Sequence, residues 1–282
     1  IDTLCLSLHG NDFNITPALV LNDNPPKSIA RLVGLFSTFR RLYRLMRTQE
    51  YDLVHVHTVS MYAMYALLAP ASKPLVITPW GSDLLINNST IKRLIQRILF
   101  SRSSIITTDG DHIRDYLVDR GVASPKIKRI NFGIDTDYFS KDAHELANSL
   151  EQALPFSLQS EISQKRRLLI LSTRNLEPVY DIGTVINGFR HMLNSICHLN
   201  PYLIIAGAGS EEHLLKRLAV ELEVSERVVF LGRVTQAQML CLLRCADIFV
   251  SSSKSDAGIA ASIAEAMSMS MPVVVSDSGE NH

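Results

Sequence analysis

The chain has 282 residues, 46% of them hydrophobic and 20% charged, with 28 Lys plus Arg against 28 Asp plus Glu. That length and apolar content suffice for one large or two medium packed domains, and a formal charge of zero argues against general nucleic-acid binding. No apolar run approaches the span of a bilayer.

The first part of the chain alternates strand and helix patterns. Thr3–Leu8 reads as a strand, Pro25-Pro26 as a loop, and Ser28 to Thr48 as a helix. That helix has Phe36, Phe39, Tyr43 and Met46 on one stripe and Arg40, Arg41, Arg44 and Arg47 around it. Strands follow at Leu53–His57, Leu75–Thr78 and Ser104–Thr108, with a second basic helix carrying Lys92, Arg93, Arg97 and Arg102 between the last two. Both basic helices read either as solvated outer faces or as surfaces for anionic lipid. Strands alternating with helices predict a parallel sheet, whose ligands gather beyond the strands' carboxyl ends. His57 and the Thr78–Asp83 cluster lie at such ends. Asp109-Gly110-Asp111 reads as a helix start, with Asp109 capping His112–Arg120 and Asp111 complementing its dipole, so no metal is expected there. Residues 142–165 are polar and Ser/Gln/Glu-rich and read as a linker between domains at 1–141 and 166–282. Of four cysteines, Cys241 and Cys245 share a helix face as packing residues, and the scattered set with Cys5 and Cys197 fits a reducing cytoplasm.

A second alternating series begins at the strand Leu168–Ser172, which ends in Thr173-Arg174-Asn175. A helix over Ile182–Met192, the strand Tyr202–Ala206 with the turn Gly207–Ser210, and the helix Glu211–Leu222 follow. The strand Val228–Leu231 then ends in Gly232-Arg233-Val234 and leads to the helix Gln236–Cys245. Ala246–Asp277 closes the series as strand, loop, helix, strand, with Gly258 at the helix entrance. Ile259, Ile263 and Ala266 are spaced to face the sheet, and Glu265 is a lone acid on a small-sided face. Alone, this unit reads equally as a phosphate-binding βαβ unit or a plain one. Arg174, the Gly207–Ser210 turn, Arg233 and the Lys254–Gly258 loop are expected along one rim, a set that suits a diphosphate. Gly207-x-Gly209 lacks a third glycine and precedes Glu211-Glu212, which disfavours a dinucleotide oxidoreductase.

The segments DLVHVH, TPWGSDLL, NFGIDTDYF, STRNLEPVYDI, LIIAGAGSE, VVFLGRV and ADIFVSSS…AEAMSMSMPVVVSD together resemble glycosyltransferase family 4. These are the retaining nucleotide-sugar transferases of group 1 with the GT-B fold. The resemblance implies an α/β protein of two Rossmann-like βαβ domains facing across a cleft. It implies transfer of a hexosyl or N-acetylhexosaminyl group from a nucleotide-diphosphate sugar to a glycan or lipid-linked acceptor, without metal or other cofactor. A cytoplasmic protein, peripheral at the inner face of an anionic membrane, would fit that role.

By the same resemblance Arg174 binds the donor diphosphate, with Lys254, Gly207 and Gly209 beside it. Gly258, Ile259, Glu265, Arg233 and Val234 meet the donor sugar or nucleoside. Four departures stand out. Ala257 occupies the position of the first glutamate of the paired motif, with Asp256 adjacent as its substitute. Val179 and Tyr180 occupy the region of the usual lysine, and Trp80 replaces a histidine, which leaves Asp83 and His57 as catalytic candidates with Asp256. Counterparts of the family's opening strand and closing helices are missing, which implies shortening at both ends. A nucleotide-sugar epimerase of the same fold and a non-catalytic sugar-nucleotide-binding protein are the alternatives.

Overall fold

The computed structural model describes residues 39–40, 42–44, 46–48, 51–86, 89–140 and 167–281. The strand expected at Thr3–Leu8, the Pro25-Pro26 loop and the linker at 142–165 lie outside the described residues. The chain divides into two compact units, Ile1–Thr108 with Tyr116–Lys128, and Asp109–Asp115 with Arg129–His282.

The first unit is built on β1 (Val54–His57), β2 (Leu75–Thr78), β3 (Ile105–Thr108) and β4 (Ile127–Arg129), in that spatial order. β1–β2 and β2–β3 are parallel, with His57 opposite Thr78 and Val76 opposite Ile105. A 3-10 helix (Met61–Leu68), the one-turn α1 (Ser82–Leu85) and α2 (Thr90–Arg102) connect the first three strands. Ser89 caps α2, its hydroxyl accepting from the Lys92 amide. Leu75, Ile77, Leu84, Leu99, Ile106 and Leu117 are fully buried in this unit. The described residues among 39–48 are helical, with Phe39 and Tyr43 of the stripe exposed, Met46 partly buried and Leu42 buried.

In the second unit the parallel sheet runs β7-β6-β5-β8-β9 (Val228–Phe230, Pro201–Ile205, Leu168–Ser172, Ile248–Ser251, Val273–Val275). β5 is central and apolar from Leu168 to Leu171, as suits a strand covered on both faces. Strand periodicity sends Leu169 and Leu171 into one core with Leu240, Phe249, Ile263 and Ala266. Ile170 points into the other core with Ile186, Phe189, Leu203, Ile205 and Leu215. Helices α4 (Thr136–Ser140), α7 (Gln236–Cys245) and α8 (Ala261–Ser268) supply the first core, and α5 (Ile182–Ile196) and α6 (Glu212–Glu221) the second. The capping box between Thr235 and Gln238 starts α7. Parallel strands leave β5, β6, β8 and β9 on one edge of the sheet, followed by Thr173, Ala206, Ser252 and Ser276.

Two expectations are corrected. Gly258 is not at the helix entrance, because α8 begins at Ala261, and Ile259 is exposed rather than against the sheet. Asp109 does not cap the helix that begins at Asp111 (α3, Asp111–Asp119). Its carboxylate accepts the Phe132 N–H at 2.8 Å. The cap comes from far along the chain: Glu280 Oε1 accepts the Asp111 and His112 amides at 2.7 and 3.4 Å, and His112 Nδ1 lies 3.3 Å away. Asp111 does complement the dipole in the first turn, while its side chain pairs with Arg114 and Arg129. Burial alone would raise the Glu280 pKa, but the hydrogen bonds from His112 and Asp111 and the Arg129 charge outweigh it and hold the carboxyl below its ordinary value.

A depressed carboxyl pKa stabilises the fold above the ordinary carboxylate range and ceases to do so as pH falls through the folded value. Glu280→Gln is therefore expected to lower stability at neutral pH by about 1 kcal/mol, with the difference closing on acidification in denaturant titrations. At Gly207 a Cβ would fall inside contact distance of the Arg174 carbonyl oxygen. Gly207→Ala is expected to cost about 1–3 kcal/mol by the same measurement.

Candidate functional site

Arg174 lies two residues beyond β5 and is buried, where a cation persists only if paired. Its Nη2 donates to Asp256 Oδ1 and, at 3.2 Å, to Ser253 Oγ, while Nη1 donates to Ser262 Oγ at 3.3 Å. The guanidinium carbon stands 4.3 Å from the centroid of the Tyr180 ring, a cation–π distance. Nε is buried without a hydrogen-bond partner among the described residues. Asp256 is equally buried, with Ser278 Oγ 3.4 Å from its second oxygen. The β5 end, the loop after β8 and the first turn of α8 thus converge on one charge.

Ala260, the residue before α8, gives it no side-chain cap; the Ile263 and Ala264 amides donate to the Ala260 carbonyl, which leaves those of Ala261 and Ser262 as the helix-start donors for an outside acceptor. One turn on, the half-buried Glu265 carboxylate accepts no hydrogen bond among the described residues, and desolvation raises its pKa. An under-satisfied carboxylate on the helix whose first turn holds the Arg174 guanidinium through Ser262 is chemically suited to a ligand with hydroxyls next to an anion. The 254–258 loop is itself held closely. A Cβ on Gly258 would collide with the Asp109 carboxylate, one on Gly279 with the Gly258 carbonyl, and His112 Nε2 is 3.1 Å from the Asp256 carbonyl oxygen.

The remaining residues expected on this rim are placed differently. Lys254 is exposed and pairs with Asp181 at 3.2 Å. Gly207 and Gly209 have a packing role: a Cβ on either would strike the backbone of Arg174 or Leu176. At the start of α6 the Glu177 carboxylate already accepts the Ser210 N–H at 2.9 Å and its hydroxyl at 2.6 Å. Arg233 follows β7 on the surface, and Val234 packs against the first core. Sequence reasoning missed the cation–π contact of Tyr180 and the anchoring role of Ser253. The signal available was a polar run directly after the apolar strand β8.

His57 and Asp83 belong to the first unit. His55 Nε2 is 2.7 Å from the Thr78 hydroxyl, and the His55 and His57 ring centroids are 4.1 Å apart. Desolvation, reinforced by His57, lowers the His55 pKa to about 4, and desolvation lowers that of His57. The Asp83 carboxylate accepts the Val59 and Trp80 amides, so it fixes the loops after β1 and β2. Among the described residues no three His, Cys, Asp or Glu side chains are grouped to hold a metal ion. Cys241 and Cys245 sit on α7, their thiol pKa values raised by burial.

Comparison with known proteins gives a consistent picture. Residues 10–138 match the model for Glycosyltransferase Family 4, and residues 156–282 match that for Glycosyl transferases group 1. A curated relative, alpha-monoglucosyldiacylglycerol synthase of Streptococcus pneumoniae, is 26% identical over 230 residues, covering 77% of this chain and 50% of the relative. The chain thus spans about half the length of that relative. Among solved structures, HepE of Anabaena in complex with UDP and glucose aligns with a TM-score of 0.69 at 19% identity, over 90% of this chain and 66% of that one. Sucrose-phosphate synthase of Thermosynechococcus elongatus aligns with a TM-score of 0.69 at 15% identity, over 87% and 62%. These neighbours have the GT-B fold expected from the sequence, and both units here are α/β with parallel strands. With two family models matching in order along nearly its whole length, the chain belongs to the family 4, group 1 glycosyltransferases.

Proposed function

We propose that this glycosyltransferase moves a hexosyl or N-acetylhexosaminyl group from a nucleotide-diphosphate sugar to a glycan or lipid-linked acceptor, with retention and without a metal. The observation that carries the reading is the convergence of Arg174, Ser262 and the uncapped first turn of α8, one turn from an unpartnered Glu265. The leaving group is a nucleoside diphosphate, so the reaction's demand is for stabilisation of developing negative charge. Arg174 and the α8 amides meet that demand. One charge-assisted hydrogen bond is worth about 1.5–3 kcal/mol, or about one to two decades in rate if made only in the transition state. Glu265 receives the ribose hydroxyls. Retention with departure and attack on one face of the sugar requires no protein nucleophile.

Asp256 is the carboxylate proposed to replace the one displaced by Ala257. Its ion pair gives it a second duty, because it holds the guanidinium in place before the donor arrives. His57, kept neutral by desolvation, is proposed as a hydrogen-bonding group for the acceptor.

HepE has been solved with UDP-glucose, and the Streptococcus relative is named for a glucosylated diacylglycerol product. UDP-glucose and diacylglycerol lipids are therefore the first substrates to test, followed by other nucleotide sugars and glycans. UDP release that depends on an acceptor is the expected result. Donor interconversion without acceptor, or saturable donor binding without turnover, would overturn the proposal.

Arg174→Ala is expected to weaken UDP binding about tenfold or more in calorimetry, and unchanged affinity would remove it from the site. Asp256→Asn leaves the buried guanidinium unpaired. UDP affinity should hold or tighten while turnover falls, and wild-type turnover would reduce Asp256 to a counterion. Glu265→Gln removes a desolvated charge. Because the folded pKa is raised, the ionised carboxylate costs stability at neutral pH, and that cost disappears as pH falls through the folded value. The variant should therefore melt higher than wild type at neutral pH, converge with it in acid, and bind UDP more weakly. Unchanged UDP affinity would return Glu265 to the role of a surface residue.

A further inference from the structure

The chain has a single tryptophan, Trp80. It stands two residues beyond β2 in the first unit and is 43% exposed, although large aromatic side chains gain most from burial. Its backbone is fixed. One oxygen of the Asp83 carboxylate accepts the Trp80 N–H at 2.8 Å, and the other accepts the Val59 N–H. Gly81 turns the chain at a φ of 83°, a conformation that glycine adopts without strain. Thr58, directly after His57, is held at a φ of 82°, which strains a β-branched residue, and donates its N–H to the Thr78 carbonyl at 2.9 Å. The loops after β1 and β2 are thus locked to each other, and the indole is presented from a rigid support.

A histidine stands beside it. The His57 and Trp80 ring centroids are 6.1 Å apart, with the planes tilted by 40°. The His55 ring lies 4.1 Å from that of His57, His55 Nε2 is 2.7 Å from the Thr78 hydroxyl, and the Thr78 hydroxyl meets that of Thr107. This polar row crosses β1, β2 and β3 and supports the His57 ring. Desolvation lowers the His57 pKa, so at neutral pH the ring is an uncharged imidazole that donates from one nitrogen and accepts at the other.

An exposed indole next to a neutral imidazole offers an apolar plane with a hydrogen-bonding edge. A pyranose ring has the matching surfaces, a face of C–H groups and a rim of hydroxyls. An acyl chain would cover the imidazole without giving it a partner, and an anion would meet no charge there. We propose that Trp80 stacks on the C–H face of a sugar ring of the acceptor while His57 hydrogen-bonds one of its hydroxyls, which makes the acceptor a saccharide. Calling the bound sugar an acceptor rests on the transferase reading, but its binding is measured without turnover.

Because Trp80 is the chain's single tryptophan, tryptophan emission reports on this residue alone. The test titrates the chain with the methyl glycosides of glucose, galactose and N-acetylglucosamine, and with UDP and dihexanoylglycerol as the competing chemistries. A saturable change in emission with at least one glycoside is expected, which UDP and dihexanoylglycerol do not reproduce. In saturation-transfer NMR the ring C–H protons of that glycoside should receive most of the saturation. Trp80→Ala should weaken this binding about tenfold or more, and Trp80→Phe should keep most of it. Thermal melts verify folding, and the wild-type titrations with Trp80→Phe decide if the alanine variant does not fold. No response to any glycoside, a response to UDP or dihexanoylglycerol in its place, or undiminished binding by folded Trp80→Ala overturns the proposal. The two readings fail separately. Glycoside binding at Trp80 with no sugar transfer from any donor removes the transferase reading and leaves the sugar site standing. Saccharide-dependent UDP release with an unchanged acceptor KM in Trp80→Ala keeps the transferase and overturns this role for Trp80.

Discussion

The second unit is organised by a charge that cannot be left alone. Arg174 is buried at the carboxyl end of the central strand, and a guanidinium there persists only with its donors satisfied. Asp256, Ser253 and Ser262 come from two other segments to satisfy it, and the Tyr180 ring covers its face. Each partner carries a piece of backbone with it, so one electrostatic demand fixes the loop after β8, the first turn of α8 and the approach to α5. The absence of a side chain at Gly207 lets the β6 turn close on the Arg174 backbone. In the proposed reaction a diphosphate meets a guanidinium already oriented, and binds by sharing or replacing a carboxylate partner.

Two carboxylates near that point are treated in opposite ways. Asp256 is buried and paired, whereas Glu265 is half-buried, accepts no hydrogen bond among the described residues and is raised in pKa by desolvation. A fold selected for stability alone has no use for the second arrangement, because a hydroxyl or amide neighbour would cost less. In the proposed reaction this unmet acceptor gains its partner from the ribose of the donor.

Much of this was legible in the sequence, for identifiable reasons. The continuous apolar run at Leu168–Ser172 announces a strand covered on both faces, and parallel topology then puts Arg174 on the loop edge. The helix start at Asp111 was legible to within a residue, but its cap was not. Glu280 lies far away in sequence, and a local rule favours the nearby Asp109, which instead secures Phe132. The same limit applies to Asp256: the family resemblance nominated it as the neighbour of a displaced glutamate, while its ion pair with Arg174 depends on how two loops meet. The stripe at Phe39 and Tyr43 shows a limit of another kind. Periodicity finds the apolar face of a helix but does not say whether protein covers it, and α2 buries the polar Gln96 along with Leu99 and Phe100.

The departure at Ala257 takes on a physical meaning from these contacts. Asp256 stands one residue earlier and is one methylene shorter than the glutamate that the family resemblance implies. At position 256 it meets Arg174 within the loop, while the Asp256 carbonyl faces His112 and the following Gly258 packs against Asp109. Moving the acid by one residue therefore commits its charge to arginine and its backbone to the 109–112 segment. In the proposed reaction this charge is therefore directed at Arg174, the residue proposed to hold the diphosphate.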